Sequence, residues 1–318
     1  MAEITLQLNQ LPEAGFNKPK PQTYQLDAPL QAAVEVAINL GMPLLITGEP
    51  GTGKTQLAHK IAFDLNKHNR DFLPTPLVFH TKTTSAATDL FYQYDAIRHF
   101  YDAGVNKQTQ QALPHVSEYI GLQALGKAIA LTAPVGSPQR KYLKDANLTG
   151  FAGGSVVLID EIDKAPRDFP NDILYEIERF AFQIKEDNNT ELLKTDAHKI
   201  IVLMTSNSEK NLPDAFLRRC IFYHIPFPDE TKLLNILQSH LGENSPYASA
   251  HLINLFMQVR QLLTKKKPAT AELLNWVKML ETHNFLQKSA QDQQKIMRIS
   301  YAILAKTFDD LQILLSKP

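Results

Sequence analysis

The chain has 318 residues, of which 44% are apolar and 21% charged, and this composition excludes bulk disorder and a membrane-embedded protein. Lysine plus arginine and aspartate plus glutamate number 33 each, so no net charge attracts nucleic acid. The only cysteine, Cys220, excludes an internal disulfide. Neither an export signal nor an apolar run of membrane-spanning length is present. We therefore expect a cytoplasmic protein without membrane insertion.

The beginning of the chain is rich in proline. Proline fixes its own φ angle and restricts the residue before it. We therefore predict an extended N-terminal arm over residues 1–28 and a first helix over residues 30–40. The prolines in or beside this arm are Pro12, Pro19, Pro21 and Pro29.

Short apolar runs then alternate with longer amphipathic segments. Strands that are apolar on both faces and alternate with helices are typical of a parallel sheet covered by helices on both sides. We predict a three-layer αβα fold with a five-stranded parallel sheet over residues 29–228. The apolar runs lie at residues 43–47, 77–80, 156–159, 199–204 and 220–225.

After residue 228 the apolar spacing is helical throughout, which predicts an all-α domain over residues 229–318. One hairpin is predicted at residues 182–195, where apolar stretches flank the turn-forming Asp187, Asn188 and Asn189. The predicted helices of the second domain lie at residues 233–241, 251–263, 271–280 and 296–315.

Residues 48–55 match the phosphate-loop pattern G-x-x-x-x-G-K-[ST] completely, between a predicted strand and a predicted helix. Such a loop wraps its N–H groups around phosphate, and the following helix adds its positive end. We expect Lys54 to reach the β and γ phosphates and Thr55 to ligate Mg²⁺, which predicts a site for ATP and Mg²⁺. The predicted nucleotide-binding residues are Gly48, Glu49, Pro50, Gly51, Thr52, Gly53, Lys54, Thr55, Gln56 and Asp160.

Two carboxylates, Asp160 and Glu161, directly follow the apolar run 156–159. At the end of a buried strand, Asp160 is expected to hold the Mg²⁺ ion of Thr55 through its water shell, and Glu161 to orient and deprotonate the attacking water. Taken alone, the two acids are also compatible with capping of the next helix. Their combination with the phosphate loop favours the catalytic role.

Asn207 ends the triplet Thr205-Ser206-Asn207, which follows the predicted strand 199–204. An isolated triplet of this kind is typical of an ordinary turn. Because it comes one strand after the two carboxylates, we predict that Asn207 holds the catalytic water.

Arg218 and Arg219 end a short predicted helix just before the last strand. Arginines at this place either cap their own helix or act as an arginine finger on the nucleotide of a neighbouring subunit. The second role requires an oligomer, and the sequence does not distinguish which arginine would perform it.

With these motifs in order, the chain resembles the AAA+ ATPases and, within them, the MoxR family. Three segments carry the closer resemblance, namely residues 84–91, 94–96 and 212–220, the last reading L-P-D-A-F-L-R-R-C. The match covers residues 28–228 well and the helical remainder loosely. It implies a helical lid domain and the catalytic set Lys54, Glu161, Asn207, Arg218 and Arg219.

The resemblance also implies a ring, usually of six identical subunits, that uses ATP to remodel a protein client. Clients in such systems commonly carry a von Willebrand factor A domain. A helical insertion over residues 103–149 and the hairpin at 182–195 would then face the central pore. Nearby aromatic residues either grip the client or pack a helix; they are Phe91, Tyr92, Tyr94, Phe100 and Tyr101.

One departure from the family is that no arginine stands in residues 267–272, where a sensor 2 arginine is expected. Arg260 lies nearby in sequence, but no other feature of the sequence marks it as a substitute for the sensor 2 arginine. This departure leaves an alternative open, in which ATP controls assembly as a switch and hydrolysis is slow. A DNA-handling role is disfavoured by the neutral charge and the lack of a helix-turn-helix pattern.

Overall fold

The computed structural model describes residues 21–109, 112, 114–208 and 212–316. The described residues divide into two compact units, one within residues 25–227 and the other formed by residues 228–316 together with residues 21–24. Most of the predicted N-terminal arm, residues 1–20, lies outside the described residues. The next three residues, Pro21–Thr23, form a 3-10 turn.

The first unit is built on a parallel sheet of five strands in the order β2-β5-β8-β1-β9, within the described residues. Helices α1, α2 and α4 pack on it, so the predicted α/β fold is confirmed. The elements of this unit are α1 (Ala28–Leu40), β1 (Leu44–Gly48), α2 (Lys54–His68), β2 (Leu77–His80), β3 (Tyr92–Tyr94), α3 (Ala96–Thr109), β4 (Ile120–Leu122), α4 (Ala124–Leu131), α5 (Ala146–Thr149), β5 (Ser155–Asp160), α6 (Phe169–Asp172), α7 (Leu174–Arg179), β6 (Ala181–Ile184), β7 (Thr190–Leu193), β8 (Ile200–Ser206), α8 (Asp214–Leu217) and β9 (Ile221–Ile225).

The central strands β1, β5 and β8 are buried along their whole length, which explains the continuous apolar runs at residues 44–46, 156–159 and 200–204 within them. Helix α1 begins two residues before the predicted start. Asp27 accepts a hydrogen bond from Leu30 N at 3.0 Å, and Pro29 occupies the first turn, where its missing N–H costs nothing.

The segment predicted as a helical insertion, residues 103–149, also contains a strand. Within it, residues 116–119 form a 3-10 turn, which β4 and then α4 follow. Strand β4 pairs antiparallel with β3, so tertiary pairing decides the conformation of this stretch. Of the nearby aromatic residues, Phe91 and Tyr92 are buried, whereas Phe100 is 84% exposed.

A single arginine holds the end of this segment together. The buried Arg140 guanidinium donates to the carbonyl oxygens of Ala133, Leu148, Thr149 and Phe151 at 2.5 to 3.0 Å. Because an arginine carries five N–H donors in a fixed fork, one side chain can satisfy several carbonyl groups.

Strands β6 and β7 form an antiparallel hairpin. In its turn, Asn188 and Asn189 adopt positive φ angles of 53° and 55°, a conformation that asparagine tolerates better than most residues. The buried Asp187 accepts hydrogen bonds from Lys141 Nζ at 2.8 Å and from the Tyr142 hydroxyl at 2.5 Å. The turn is therefore fixed to the segment that precedes β5.

The second unit is helical, as predicted, and consists of α9 (Glu230–Leu241), α10 (Ala250–Leu262), α11 (Thr270–Thr282), α12 (Ala290–Leu304) and α13 (Phe308–Leu315). The prediction of one helix over residues 296–315 is wrong. Helix α12 ends at Leu304, and the Thr307 hydroxyl accepts a hydrogen bond from Asp310 N and so caps a new helix, α13. Within the described part of the chain, every helix is too short or too polar to cross a lipid bilayer.

Candidate functional site

The predicted site residues of the phosphate loop, together with Asp160 and Asn207, meet where the central parallel strands end, whereas Arg218 and Arg219 lie outside this group. Residues 48–55 follow β1, Asp160 ends β5, and residues 205–207 end β8. The register pairs Ile46 with Thr205 and Ile159 with Met204. Parallel strands of one sheet end at the same edge, so these segments of distant sequence become neighbours.

The loop after β1 depends on glycine at two positions. A Cβ atom on Gly48 would lie 2.7 Å from the carbonyl oxygen of Ile225, and the φ angle of Gly48 is 151°. Gly53 has a φ angle of 90° and directly precedes helix α2, which begins at Lys54. Without a Cβ atom, Gly48 can lie close to the backbone of Ile225, and Gly53 can adopt the positive φ angle that precedes α2. The first N–H groups of α2 therefore follow directly after the loop.

The remaining predicted residues of the loop differ in exposure. Glu49, Pro50 and Gly51 are exposed, whereas Thr52 is buried and donates its hydroxyl to the carbonyl oxygen of Glu49 at 2.9 Å. Gln56 is half-buried in the first turn of α2. The hydroxyl of Thr52 thus stabilises the turn.

Lys54 points into the loop and is only 7% exposed. Its ammonium group donates to the carbonyl oxygens of Gly48 at 2.8 Å and Glu49 at 3.0 Å, and to Asn207 Oδ1 at 2.9 Å. Burial lowers the pKa of Lys54 below its ordinary 10.5, against the opposing effect of nearby carboxylates, foremost Asp163. The loop thus holds a cation among backbone oxygens.

Thr55 and Asp160 are joined by a hydrogen bond of 3.0 Å from the Thr55 hydroxyl to Asp160 Oδ1. The second oxygen of Asp160 lies 3.4 Å from His80 Nδ1. Mg²⁺ prefers hard oxygen ligands and typically takes only one or two from the protein when phosphate is present. The Thr55 hydroxyl and the Asp160 carboxylate, 3.0 Å apart, are oxygen groups of the kind that Mg²⁺ binds.

Glu161 adopts a left-handed backbone conformation, with φ of 56° and ψ of 52°, which is uncommon for a residue other than glycine. Its N–H donates to the Thr205 hydroxyl at 2.8 Å. Its carboxylate is paired with the ammonium group of Lys164 three residues later.

Asn207 joins the loop after β1 to the segment after β5. Its side-chain oxygen accepts from Lys54, and its backbone N–H donates to Asp163 Oδ1 at 3.3 Å. Side-chain contacts thus pair Lys54 with Asn207 and Thr55 with Asp160.

The two arginines differ in their surroundings, although both are exposed. Arg219 forms an ion pair of 2.7 Å with Glu178 and donates to the carbonyl oxygen of Ala215 at 3.2 Å. Arg218 forms no ion pair with any residue that the structure describes. The contact to Ala215 is the helix-capping role that the sequence left open.

Two residues of this region were missed as site residues in the sequence analysis. Thr205 was named only as part of a triplet, yet its hydroxyl donates to Asp160 Oδ1 at 2.7 Å. Lys164, whose ammonium group pairs with the Glu161 carboxylate, stands in no motif of the sequence. Only the pairing of β5 with β8 reveals the first contact.

Residues 43–220 match the AAA domain family, dynein-related subfamily. The matched segment covers more than half of the chain and contains all the motifs described above. The chain belongs to this family. It therefore contains an AAA+ ATPase-type nucleotide-binding domain. No curated protein sequence matches the chain significantly.

Several solved structures show some similarity to this chain. Domain III of the replication initiation protein DnaA from Thermotoga maritima is 14% identical with a TM-score of 0.45, over 91% of this chain and 97% of that chain. A RuvB mutant from Thermotoga maritima is 17% identical with a TM-score of 0.48, over 89% and 73%. The AAA domain of FIGL-1, solved in complex with ADP, is 14% identical with a TM-score of 0.40, over 93% and 83%.

Proposed function

We propose that this AAA domain binds ATP with Mg²⁺ and hydrolyses it. The observation that carries the proposal is a pair of side-chain contacts, Lys54 with Asn207 and Thr55 with Asp160. These contacts bring a phosphate loop, a carboxylate and an amide from three strands to one point. Binding of nucleotide phosphates and activation of a water both require groups of these types.

Each residue has one role in the proposed reaction. The backbone of residues 48–55 and the Lys54 ammonium bind the phosphates, while Thr55 and Asp160 hold the Mg²⁺ ion. When bound, Mg²⁺ neutralises charge that develops on the phosphate oxygens. Glu161 accepts a proton from the attacking water, and Asn207 positions that water.

We further propose that Arg218 acts on the nucleotide of a neighbouring subunit. Its guanidinium group is exposed, whereas Arg219 is held by Glu178 within its own chain. Such a role requires an assembly, and the resemblance to the MoxR family suggests a homo-hexameric ring. In this proposal the ring acts in the cytoplasm and remodels a protein client, such as one with a von Willebrand factor A domain.

A second candidate is an ATP-gated assembly switch in which hydrolysis is slow. One observation favours it. Arg260, the arginine nearest in sequence to the sensor 2 position, is buried in the second unit and donates to the carbonyl oxygen of Pro268 at 2.6 Å. An arginine committed to a backbone carbonyl is poorly suited to move onto a phosphate.

The proposed activity is tested by measuring phosphate release from ATP with Mg²⁺, for the wild-type protein and for Glu161→Gln. We expect Glu161→Gln to lose at least about 100-fold in kcat and to keep its affinity for ATP, because it loses only the general base. Glu243→Gln, an exposed glutamate of the second unit, is the matched control and should behave as wild type. Turnover that is unchanged in Glu161→Gln would refute the role of Glu161.

Light scattering with and without ATP distinguishes the two candidate functions. A particle mass near that of six subunits that appears only with ATP, together with rapid hydrolysis, supports the remodelling ring. The same mass with hydrolysis slower than assembly supports the switch. A monomer in every condition contradicts both.

A further inference from the structure

Thr205 occupies the point where the two carboxylate residues of the site meet the neighbouring strand. It lies at the end of β8 and is 1% exposed. Its hydroxyl donates to Asp160 Oδ1 at 2.7 Å and accepts the N–H of Glu161 at 2.8 Å. One side chain therefore contacts both residues of the carboxylate pair.

The direction of these bonds is fixed by chemistry. A threonine hydroxyl has one proton to donate, and a backbone N–H cannot accept. The bond with Glu161 must therefore use a lone pair of the Thr205 oxygen, which leaves its proton for Asp160. The hydroxyl proton is thus committed to Asp160, and one of the two lone pairs of its oxygen accepts from Glu161.

The first bond concerns the proposed metal ligand. Asp160 Oδ1 receives the hydroxyl protons of both Thr55 and Thr205. Thr55 is itself a proposed ligand of Mg²⁺, so its contact with Asp160 competes with metal binding. Thr205 is not, and its bond can orient the carboxylate whether or not the ion is bound.

The second bond concerns the proposed general base. Glu161 has a φ angle of 56°, a conformation that L residues adopt only when surrounding contacts impose it. The N–H of this residue is directed at the Thr205 oxygen. The hydrogen bond thus stabilises the turn that sets the direction of the Glu161 side chain.

We propose that Thr205 is a positioning residue for ATP hydrolysis, which orients Asp160 through its proton and Glu161 through its oxygen. The inference rests on the proposed function of the site. Thr205 does not touch the nucleotide in this assignment and acts only through the two carboxylate residues.

The test compares three variants that differ in one group. Thr205→Val removes the hydroxyl and keeps the shape of the side chain, while Thr205→Ser keeps the hydroxyl and removes the methyl group. Thr132→Val is the matched control, because Thr132 is also buried and its hydroxyl accepts from Thr195 N at 2.9 Å, outside the site. Circular dichroism checks folding, and Thr205→Ala replaces Thr205→Val if the valine variant does not fold.

Two quantities are measured for each variant. One is kcat for ATP hydrolysis, and the other is the affinity of the ADP-loaded protein for Mn²⁺, followed by electron paramagnetic resonance as a stand-in for Mg²⁺. We expect Thr205→Val to lose about 10- to 100-fold in each, as is typical for partners that orient metal ligands. Thr205→Ser and Thr132→Val should stay near wild type, and metal-free ATP affinity should be unchanged in all variants.

Thr205→Val with wild-type kcat and Mn²⁺ affinity would overturn the inference. So would a Thr205→Ser variant as impaired as Thr205→Val, because the hydroxyl would then not be the cause. If the wild-type protein itself does not hydrolyse ATP, the proposed function fails instead. The Mn²⁺ affinity then decides alone whether Thr205 orients Asp160.

Discussion

Lys54 and Asn207 are separated by 153 residues in the sequence, yet the lysine ammonium donates to the asparagine side-chain oxygen at 2.9 Å. The contact links the loop after β1 to the end of β8. Since Lys54 is buried, a polar partner at this distance offsets part of the cost of removing its charge from water. Asn207 therefore acts on the lysine as well as on the proposed water.

Replacing Asn207 by alanine tests this double role. We expect Asn207→Ala to lower kcat for ATP hydrolysis by about 10- to 100-fold, because water positioning is lost, and to weaken ATP binding by less than about threefold. Steady-state kinetics and binding of a fluorescent ATP analogue separate the two effects. Asn147→Ala, an exposed asparagine of α5, should change neither quantity, and an equal loss in affinity and turnover would contradict the assignment.

The two arginines are predicted to differ strongly. Arg218→Ala should reduce kcat at least about 100-fold with little effect on ATP affinity, because a finger stabilises charge in the transition state. Arg219→Ala should reduce it by less than about fivefold, because an exposed ion pair such as that with Glu178 contributes little. Phosphate release from ATP, measured at a protein concentration at which the subunits assemble, checks both variants. The reverse ranking would assign the finger to Arg219.

Cys220 is predicted to be unreactive in the folded protein. Burial raises the pKa of its thiol from 9.0 to about 12, so the thiolate that reacts is scarce at pH 8. Labelling by a thiol reagent should be at least about 100-fold slower in the native protein than in denaturant. Because only the unfolded chain releases the proton between these pKa values, this group makes the folded state less stable as the pH rises above 9. Rapid native labelling would contradict the buried environment.

Asp310 is predicted to stabilise the second unit. It is fully buried and accepts from the backbone N–H groups of Thr264, Lys265 and Lys266 at 3.0 to 3.3 Å. Burial alone would raise its pKa, but these N–H groups together with the Thr307 side chain outweigh it and lower the pKa below 3.8.

The corresponding variant is Asp310→Ala, which leaves three N–H groups without their acceptor. We expect its melting temperature at pH 7 to fall by roughly 3 °C or more. Since the folded pKa is lowered, the stabilisation is present above pH 3.8 and is lost as the pH falls below it, so the two proteins should converge in acid. Asp309→Ala, the exposed neighbour on α13, is the control, and calorimetry on both variants measures the difference.

The sequence predicts those parts of the fold and site that follow from continuous motifs. The sheet was predictable because β1, β5 and β8 each contain a continuous apolar run, at residues 44–46, 156–159 and 200–204, and both glycines and Lys54 follow from one loop pattern. Where tertiary contacts decide, the sequence was insufficient. The single helix predicted for 296–315 fails because Thr307 caps a new helix, and a hydroxyl at position 205 acquires its partners only when β5 pairs with β8.

The Arg140 side chain has a consequence for the dynamics of residues 133–151. Four carbonyl groups spread over this stretch accept hydrogen bonds from one guanidinium. When one of these bonds opens, the guanidinium is held less firmly and its hydrogen bonds to the other carbonyl groups weaken. Amide hydrogens of the stretch would then exchange with solvent as one cooperative unit and at one common free energy, in place of a gradual fraying from its ends.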